Sequence, residues 1–223
     1  IDLYQLHWPE RNTNYFGKLG YKHENKEKEW NDFESILKVL KSFVDQGKIR
    51  YIGLSNESSW GLSKFLEVSK LYNLPKVMSV QNPYNLLNRT YEVGLAETSI
   101  REKSGLLAYS PMAFGVLSGK YRNNQKPKGS RLQLFGDMFP RYVGKLPLLA
   151  VEEYFKVAKK HKISLAQLSL AFVNQQPFVT SNIIGATTIK QLKEDIESTN
   201  IELSSEIIDE INLVHKNNPN PAP

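Results

Sequence analysis

Five places in this chain put small polar or aromatic residues directly after a short apolar run. His7 follows Ile1–Leu6, Ser55 and Asn56 follow Tyr51–Leu54, and Gln81 and Asn82 follow Val77–Val80. Tyr109 and Ser110 follow Leu106–Ala108, and Gly185, Ala186 and Thr187 follow Ile183–Ile184. Asn56 and Gln81 each offer an amide acceptor and two amide donors, the complement of a carboxamide. Tyr109 offers a flat ring on which a planar heterocycle could stack. Gly185–Thr187 leads into a helix opening at Thr188, where backbone N–H groups and the helix dipole favour a phosphate. Lys120 and Arg131 supply positive charge for a phosphate dianion. Together these groups describe a nicotinamide dinucleotide site. Each also has a structural role open to it: His7 as a satisfied strand-end residue, Asn56 as a helix cap, Gln81 as a buried hydrogen-bonder, Tyr109 as core.

Positioning such a row requires strands that all end on one face. The apolar runs are short and continuous, the pattern of parallel strands buried on both sides. Amphipathic segments lie between them. Phe33, Ile36, Leu37, Leu40 and Val44 recur at helical spacing within Trp30–Gln46, and Gly47 ends that helix. Further helices are predicted over Leu62–Tyr72, Tyr91–Glu102, Leu148–Lys160, Leu165–Gln175 and Ser204–His215. Ser164-x-x-Gln167 and Thr188-x-x-Gln191 read as capping boxes. Alternating strands and helices predict repeated βαβ units in an α/β fold with no second domain. Two long segments, Pro9–Glu29 and Pro111–Pro147, follow strand ends and read as loops over the same face.

Composition removes several function classes. With no cysteine among 223 residues, disulfide scaffolds, zinc-thiolate sites and thiol nucleophiles are out, and the chain fits the cytosol. No apolar run is long enough to span a membrane. His7, His23, His161 and His215 lack metal-ligand spacing, so no metal site is predicted. The net charge of +6 sits in one segment, where Lys120, Arg122, Lys126, Lys128, Arg131, Arg141 and Lys145 face Asp137 alone. So local an excess points to a small anion and away from nucleic acid. Gly115-x-x-x-Gly119-Lys120-Tyr121 is not a P-loop, being one residue short and ending in Tyr. A strand-like run opening at Ile1 reads as the C-terminal part of a longer chain, and five βα units would leave two unpaired sheet edges.

Several of these stretches resemble aldo-keto reductases: Ile1-Asp-Leu-Tyr-Gln-Leu-His7-Trp-Pro9, Gly47–Asn56, Gln81-Asn-Pro-Tyr-Asn85, Ala108-Tyr-Ser-Pro111, Gly115–Tyr121 and Gly185-Ala-Thr-Thr-Ile-Lys-Gln191. The resemblance runs in order along the chain. It implies a (β/α)8 TIM barrel, incomplete here with about five C-terminal βα units, that binds NADP(H) and reduces the carbonyl of a small-molecule aldehyde or ketone. By the same resemblance His7 matches the histidine of a catalytic tetrad, where it orients and polarises the carbonyl. Ser55, Asn56 and Gln81 match carboxamide contacts, and Tyr109 the ring under the nicotinamide. Ser110, Pro111, Met112, Gly115 and Lys120 match the loop over the pyrophosphate, and Arg131 the basic residue on the 2′-phosphate. Gly185, Thr187, Gln191, Glu194 and Asp195 match the adenosine end. Asp195 departs from the family's usual Asn at that position: an ionised carboxylate cannot donate to adenine and brings negative charge towards the 2′-phosphate. The tetrad's Asp, Tyr and Lys are expected on upstream βα units, so this chain alone is expected to be inactive. A second implied reading is an NADP-binding regulatory module, as in potassium-channel β subunits.

Overall fold

A computed structural model describes residues 1–14, 16–24, 32–136 and 140–223. Tyr15, Asp137 and the start of the helix predicted from Trp30 lie outside the described residues, as does part of the Pro9–Glu29 segment. The strands are β1 (Leu3–Leu6), β2 (Tyr51–Ser55), β3 (Val77–Pro83), β4 (Gly105–Tyr109) and β5 (Val179–Asn182). They form one sheet whose order follows the chain, with β1 and β5 at its ends. The α-helices are α1 (Phe33–Asp45), α2 (Ser59–Leu71), α3 (Leu95–Glu102), α4 (Arg131–Phe135), α5 (Lys145–Lys160), α6 (Leu165–Asn174), α7 (Ile189–Glu197) and α8 (Ser205–Asn217). The chain divides into two units, Ile1–Asn82 with Tyr91–Leu107, and Pro83–Thr90 with Ala108–Pro223.

In the first unit β1 pairs in parallel with β2, and β2 with β3. Phe33, Leu37 and Leu40 recur at helical spacing and form the buried stripe of α1. The Phe33 ring meets Phe65 of α2 edge-on at 4.8 Å, an arrangement the ring quadrupoles favour. Ile52 and Leu54 of β2 and Val77 and Val80 of β3 complete this core. The predicted helix Tyr91–Glu102 is broken at Gly94. A single 3-10 turn, Thr90–Val93, precedes it and α3 follows. A Cβ at Gly94 would stand 2.8 Å from Ser59 Oγ, so a side chain there would require the serine hydroxyl to move.

The second unit is built around α6, in which only Gln167 and Asn174 are not buried. Tyr84 stacks on Phe172 at 6.0 Å and meets Phe178 edge-on at 5.2 Å. Tyr154 of α5 donates its hydroxyl to Leu86 O at 3.0 Å, which satisfies a polar group in a fully buried ring. Both predicted capping boxes are present, Ser164 with Gln167 on α6 and Thr188 with Gln191 on α7.

Three expectations need correction. The fifth strand is Val179–Asn182 and not Ile183–Ile184, although Ile183 N–H still donates to Ala108 O at 2.8 Å. The apolar pair misled because this end strand is only half buried, so Thr180 and Ser181 occupy exposed strand positions. Burial on both faces likewise holds for most of β2 and β3, whereas β4 alternates buried and half-buried residues. Finally, Pro111–Pro147 is not an open loop. Among the described residues it contains, in chain order, the 3-10 segments Ala113–Ser118 and Arg122–Asn124, then α4, the 3-10 segment Pro140–Tyr142 and the start of α5. Positive φ at Ala113, Phe114, Gly115 and Asn123 breaks it into pieces too short for periodicity to reveal.

Candidate functional site

In the first unit the ends of β1, β2 and β3 are stitched by their own polar residues. Asn56 takes φ 54° at the end of β2, a left-handed conformation that Asn tolerates better than most residues. Its Nδ2 donates to His7 O at 2.9 Å and to Ser55 Oγ at 3.1 Å. Ser55 Oγ donates to Gln81 O at 2.7 Å, and Asn56 N–H donates to the same oxygen at 3.0 Å. Both Nδ2 hydrogens of Asn56 thus already have protein acceptors, so donating to a bound carboxamide requires one of these bonds to be released. His7 is exposed, its ring 4.3 Å from that of Trp8. Gln81 is half buried.

Sequence reading missed what stands behind this row. Asn82, singled out only as a strand-end residue, clasps the Glu57 backbone, accepting from its N–H at 3.0 Å and donating to its carbonyl at 2.8 Å. The Glu57 carboxylate is almost wholly buried and pairs with Arg11. Arg11 also donates to Ser58 Oγ at 2.9 Å and lies over the Trp60 ring at 4.9 Å. Nothing local links Arg11 to Glu57, 46 residues apart in the chain.

The second unit holds a cavity of about 470 Å³. Ser110, Pro111, Met112, Gly115 and Lys120 line it, with Arg131 and with Gly185, Thr187, Gln191, Glu194 and Asp195. Every second-unit residue matched to a cofactor contact by the resemblance is therefore on this cavity except Tyr109, the neighbour of Ser110. Tyr109 is half buried. Burial pushes its phenol pKa up, and the positive charge of Arg141 works the other way. Arg131 stacks on Phe114 at 4.3 Å, and Phe114 meets the buried Tyr142 edge-on at 5.0 Å. A Cβ at Gly115 would come within 3.1 Å of Lys120 Cε and Nζ and crowd the ammonium by a few tenths of an ångström.

The expected free N–H groups at Gly185–Thr187 are partly spoken for. Gln191 Oε1 accepts from Thr187 N–H at 3.0 Å, Thr187 Oγ1 at 2.9 Å and Thr188 N–H at 3.2 Å. Ser130 was missed altogether. It lines the cavity with a buried Oγ that has no hydrogen-bond partner among the described residues, a costly state for a hydroxyl. This orphaned oxygen, two cations and the space over Gly115 suit a phosphate-bearing ligand.

Two local consequences can be measured. Ser164 Oγ caps α6 and also donates to Glu194 Oε1 of α7 at 2.7 Å. Ser164→Ala is expected to cost about 1 kcal/mol in a denaturant titration; an unchanged midpoint would show that the cap contributes nothing. Burial raises the pKa of the Asp195 carboxyl from its ordinary 3.8, and Glu194 beside it adds to the rise. A carboxyl with a raised folded-state pKa contributes stability while protonated and loses it as pH climbs through that value. Asp195→Asn is therefore expected to raise Tm at neutral pH, with the gain shrinking as pH falls towards about 4. A gain independent of pH would assign the effect to packing.

The basic excess does not act as one patch. Arg122 is committed to Glu152 at 2.8 and 2.7 Å and covers the Phe155 ring at 3.3 Å. Lys126 and Lys128 are exposed, and only Lys120 and Arg131 of the basic set line the cavity. Contrary to the spacing argument, His161 does meet two carboxylates, Glu206 and Glu210. Lys160 pairs with both of them, which supplies the cluster's positive charge from within the protein.

The sequence profile of the Aldo/keto reductase family matches residues 1–216. The chain is 48% identical over its whole length to the Tas proteins of Escherichia coli and Shigella flexneri, and spans 64% of theirs. It is 38% identical to an aldo-keto reductase of Babesia bovis over 96% of this chain and 80% of that one. It is 28% identical to a putative voltage-gated potassium channel subunit beta of Schizosaccharomyces pombe, over 81% of this chain and 54% of the other. With the parallel strands, the βα order and the strand-end cavity already in place, these matches establish that the chain belongs to the aldo/keto reductase family.

Proposed function

We propose that this chain carries the cofactor site of an NADP(H)-dependent oxidoreductase that reduces small aldehydes and ketones to alcohols. The observation that carries the reading is the convergence of eleven sequence-predicted contacts on a single cavity of the second unit, that over Gly115. Lys120 and Arg131 would balance the phosphate charge there, with Ser130 Oγ as a further donor. Gly115 would let the backbone approach the ligand closely, and Tyr109 would pack under the nicotinamide. His7 would orient the substrate carbonyl from the end of β1, fixed through its own carbonyl by Asn56. When bound, NADPH supplies a hydride for the carbonyl carbon. The proton donor of the reaction is assigned to upstream βα units. A cytoplasmic placement belongs to the same reading and rests on the cysteine-free composition. Among the described residues no helix is long and apolar enough to cross a membrane.

The test is a fluorescence titration of the full-length protein with NADPH and NADH, followed by a small aldehyde panel. Preferential NADPH binding with aldehyde-dependent NADPH oxidation is the expected result. Binding of neither nucleotide would overturn the reading. NADPH binding with no turnover across the panel would favour the second reading, an NADP-binding module without catalysis. That reading draws its support from the similarity to a protein named as a channel subunit.

A further inference from the structure

Two stretches that the cofactor reading gives to the adenosine end, Gly185–Thr187 and α7, take little from the hydrophobic core. Gly185, Ala186 and Thr187 are exposed. In α7 the one buried residue is Asp195, which is not apolar, while Ile189 and Ile196 are 70% and 55% exposed. A helix of nine residues does not hold itself together in water, and an element this short is normally fixed by packing an apolar face. Polar bonds therefore carry more of the placement of these walls.

One side chain joins the two. Asn174, the last residue of α6, accepts at Oδ1 from Asn182 Nδ2 at 2.9 Å. Asn182 ends β5 and is followed directly by Ile183 on the cavity wall. The Nδ2 of Asn174 donates in turn to Ser198 Oγ at 3.3 Å. Ser198 closes α7 and is 2% exposed. Its Oγ donates to Asp195 O at 2.6 Å, and its N–H donates to Glu194 O. Glu194 and Asp195 both line the cavity. Each group thus donates forward, from β5 through Asn174 to the cavity-lining turn of α7, and bonds in such a chain polarise one another in the same sense. Asn182 Oδ1 is buried without a partner among the described residues, so Asn182 is held through its amide nitrogen. The fixed point is α6, buried everywhere except at Gln167 and Asn174.

We propose that Asn174 is a positioning residue which sets the spacing between the segment after β5 and α7, and with it the fit of the adenosine end of the cofactor. The proposal rests on the cofactor reading given above. Leucine at this position has nearly the volume of asparagine but neither accepts nor donates, so it would release both walls at once. Lys120 and Arg131 stand outside this chain of bonds, so the charge that meets the phosphates is unaltered by the change.

The experiment titrates the full-length protein with adenosine 2′,5′-bisphosphate and with NADPH, which share the adenosine end. The proteins are the wild type, Asn174→Leu, Asn174→Gln, Ser198→Ala and the double variant Asn174→Leu/Ser198→Ala, each checked for folding by circular dichroism. Asn174→Leu is expected to weaken both ligands by about fivefold to tenfold, the scale of a lost neutral hydrogen bond. Asn174→Gln keeps both amide functions and should recover part of the loss. The effect of Asn174→Leu should be smaller in the Ser198→Ala background, because one arm of the bridge is already cut there. A folded Asn174→Leu protein with a lower Tm but wild-type affinities would make the bridge purely structural and overturn the proposal. Equal effects in the two backgrounds would overturn it as well. Should Asn174→Leu not fold, Asn182→Ala and Ser198→Ala decide the matter, each removing one arm. A loss of about threefold in each supports the bridge, and wild-type affinity in both overturns it. Wild-type protein that binds neither ligand would instead overturn the cofactor reading, and the proposal with it.

Discussion

Gly61→Ala is expected to destabilise the first unit by about 3 kcal/mol or more, the scale on which buried ion pairs fail when their geometry is broken. Gly61 lies in the first turn of α2, where helix propensity alone would favour alanine by about 1 kcal/mol. The surroundings reverse that sign. A Cβ at this position would fall far inside van der Waals distance of Glu57 Oε1 and Arg11 Nη2. Neither group is a loose end. Glu57 is held at both backbone atoms by Asn82, and Arg11 is held by Ser58 and Trp60. The side chains of Arg11 and Glu57 are 12% and 3% exposed. Forcing them apart would leave charge buried without a partner, and that, more than the lost attraction, sets the cost. Urea denaturation of wild type and variant measures it. In a background where Arg11 and Glu57 are both alanine, the same glycine substitution should cost little or become stabilising. A penalty of equal size in both backgrounds would show that the ion pair is not its cause.

The Arg11–Glu57 pair also marks where the sequence stops being legible. Strand ends could be read because each is local, an apolar run followed within one or two residues by a polar one. The two capping boxes could be read because their partners stand three residues apart. Arg11 and Glu57 carry no such signal: one lies in a loop, the other beside Asn56, and only the parallel pairing of β1 with β2 brings them together. Ser130 escaped for a different reason. A serine in a basic segment looks like solvent-facing loop, and only burial without a partner makes it notable. Arg122 and Arg141 show the reverse error. They were counted with Lys120 and Arg131 as anion-binding charge, but tertiary contacts to Glu152 and to Pro223 had already claimed them. The cavity-lining residues of the second unit were legible as a set because the family resemblance supplied their order. The residues alone supplied only their chemistry.

Gly115→Ala tests whether that set works as a phosphate cradle, and it is expected to weaken NADPH binding by about tenfold or more. Two effects act together. Gly115 has φ +90°, where an L side chain is strained at a cost of about 1–3 kcal/mol. The added Cβ would also stand 3.1 Å from Lys120 Cε and Nζ, so the ammonium must shift by a few tenths of an ångström from its place on the cavity wall. Strain alone would lower stability without singling out a charged ligand, and Gly129 separates the two. Gly129 lines the same cavity and has φ +75°, but nothing lies within 4 Å of its would-be Cβ. Gly129→Ala should therefore show the strain as a lower Tm while NADPH affinity falls much less. Gly115→Ala should show a similar loss of Tm together with the loss of affinity. Its NADPH binding should also become less dependent on salt, because one cation has been moved away from the phosphates. Equal affinities in the two variants would mean that Lys120 does not reach the ligand, and the phosphate assignment would then rest on Arg131 and Ser130 alone.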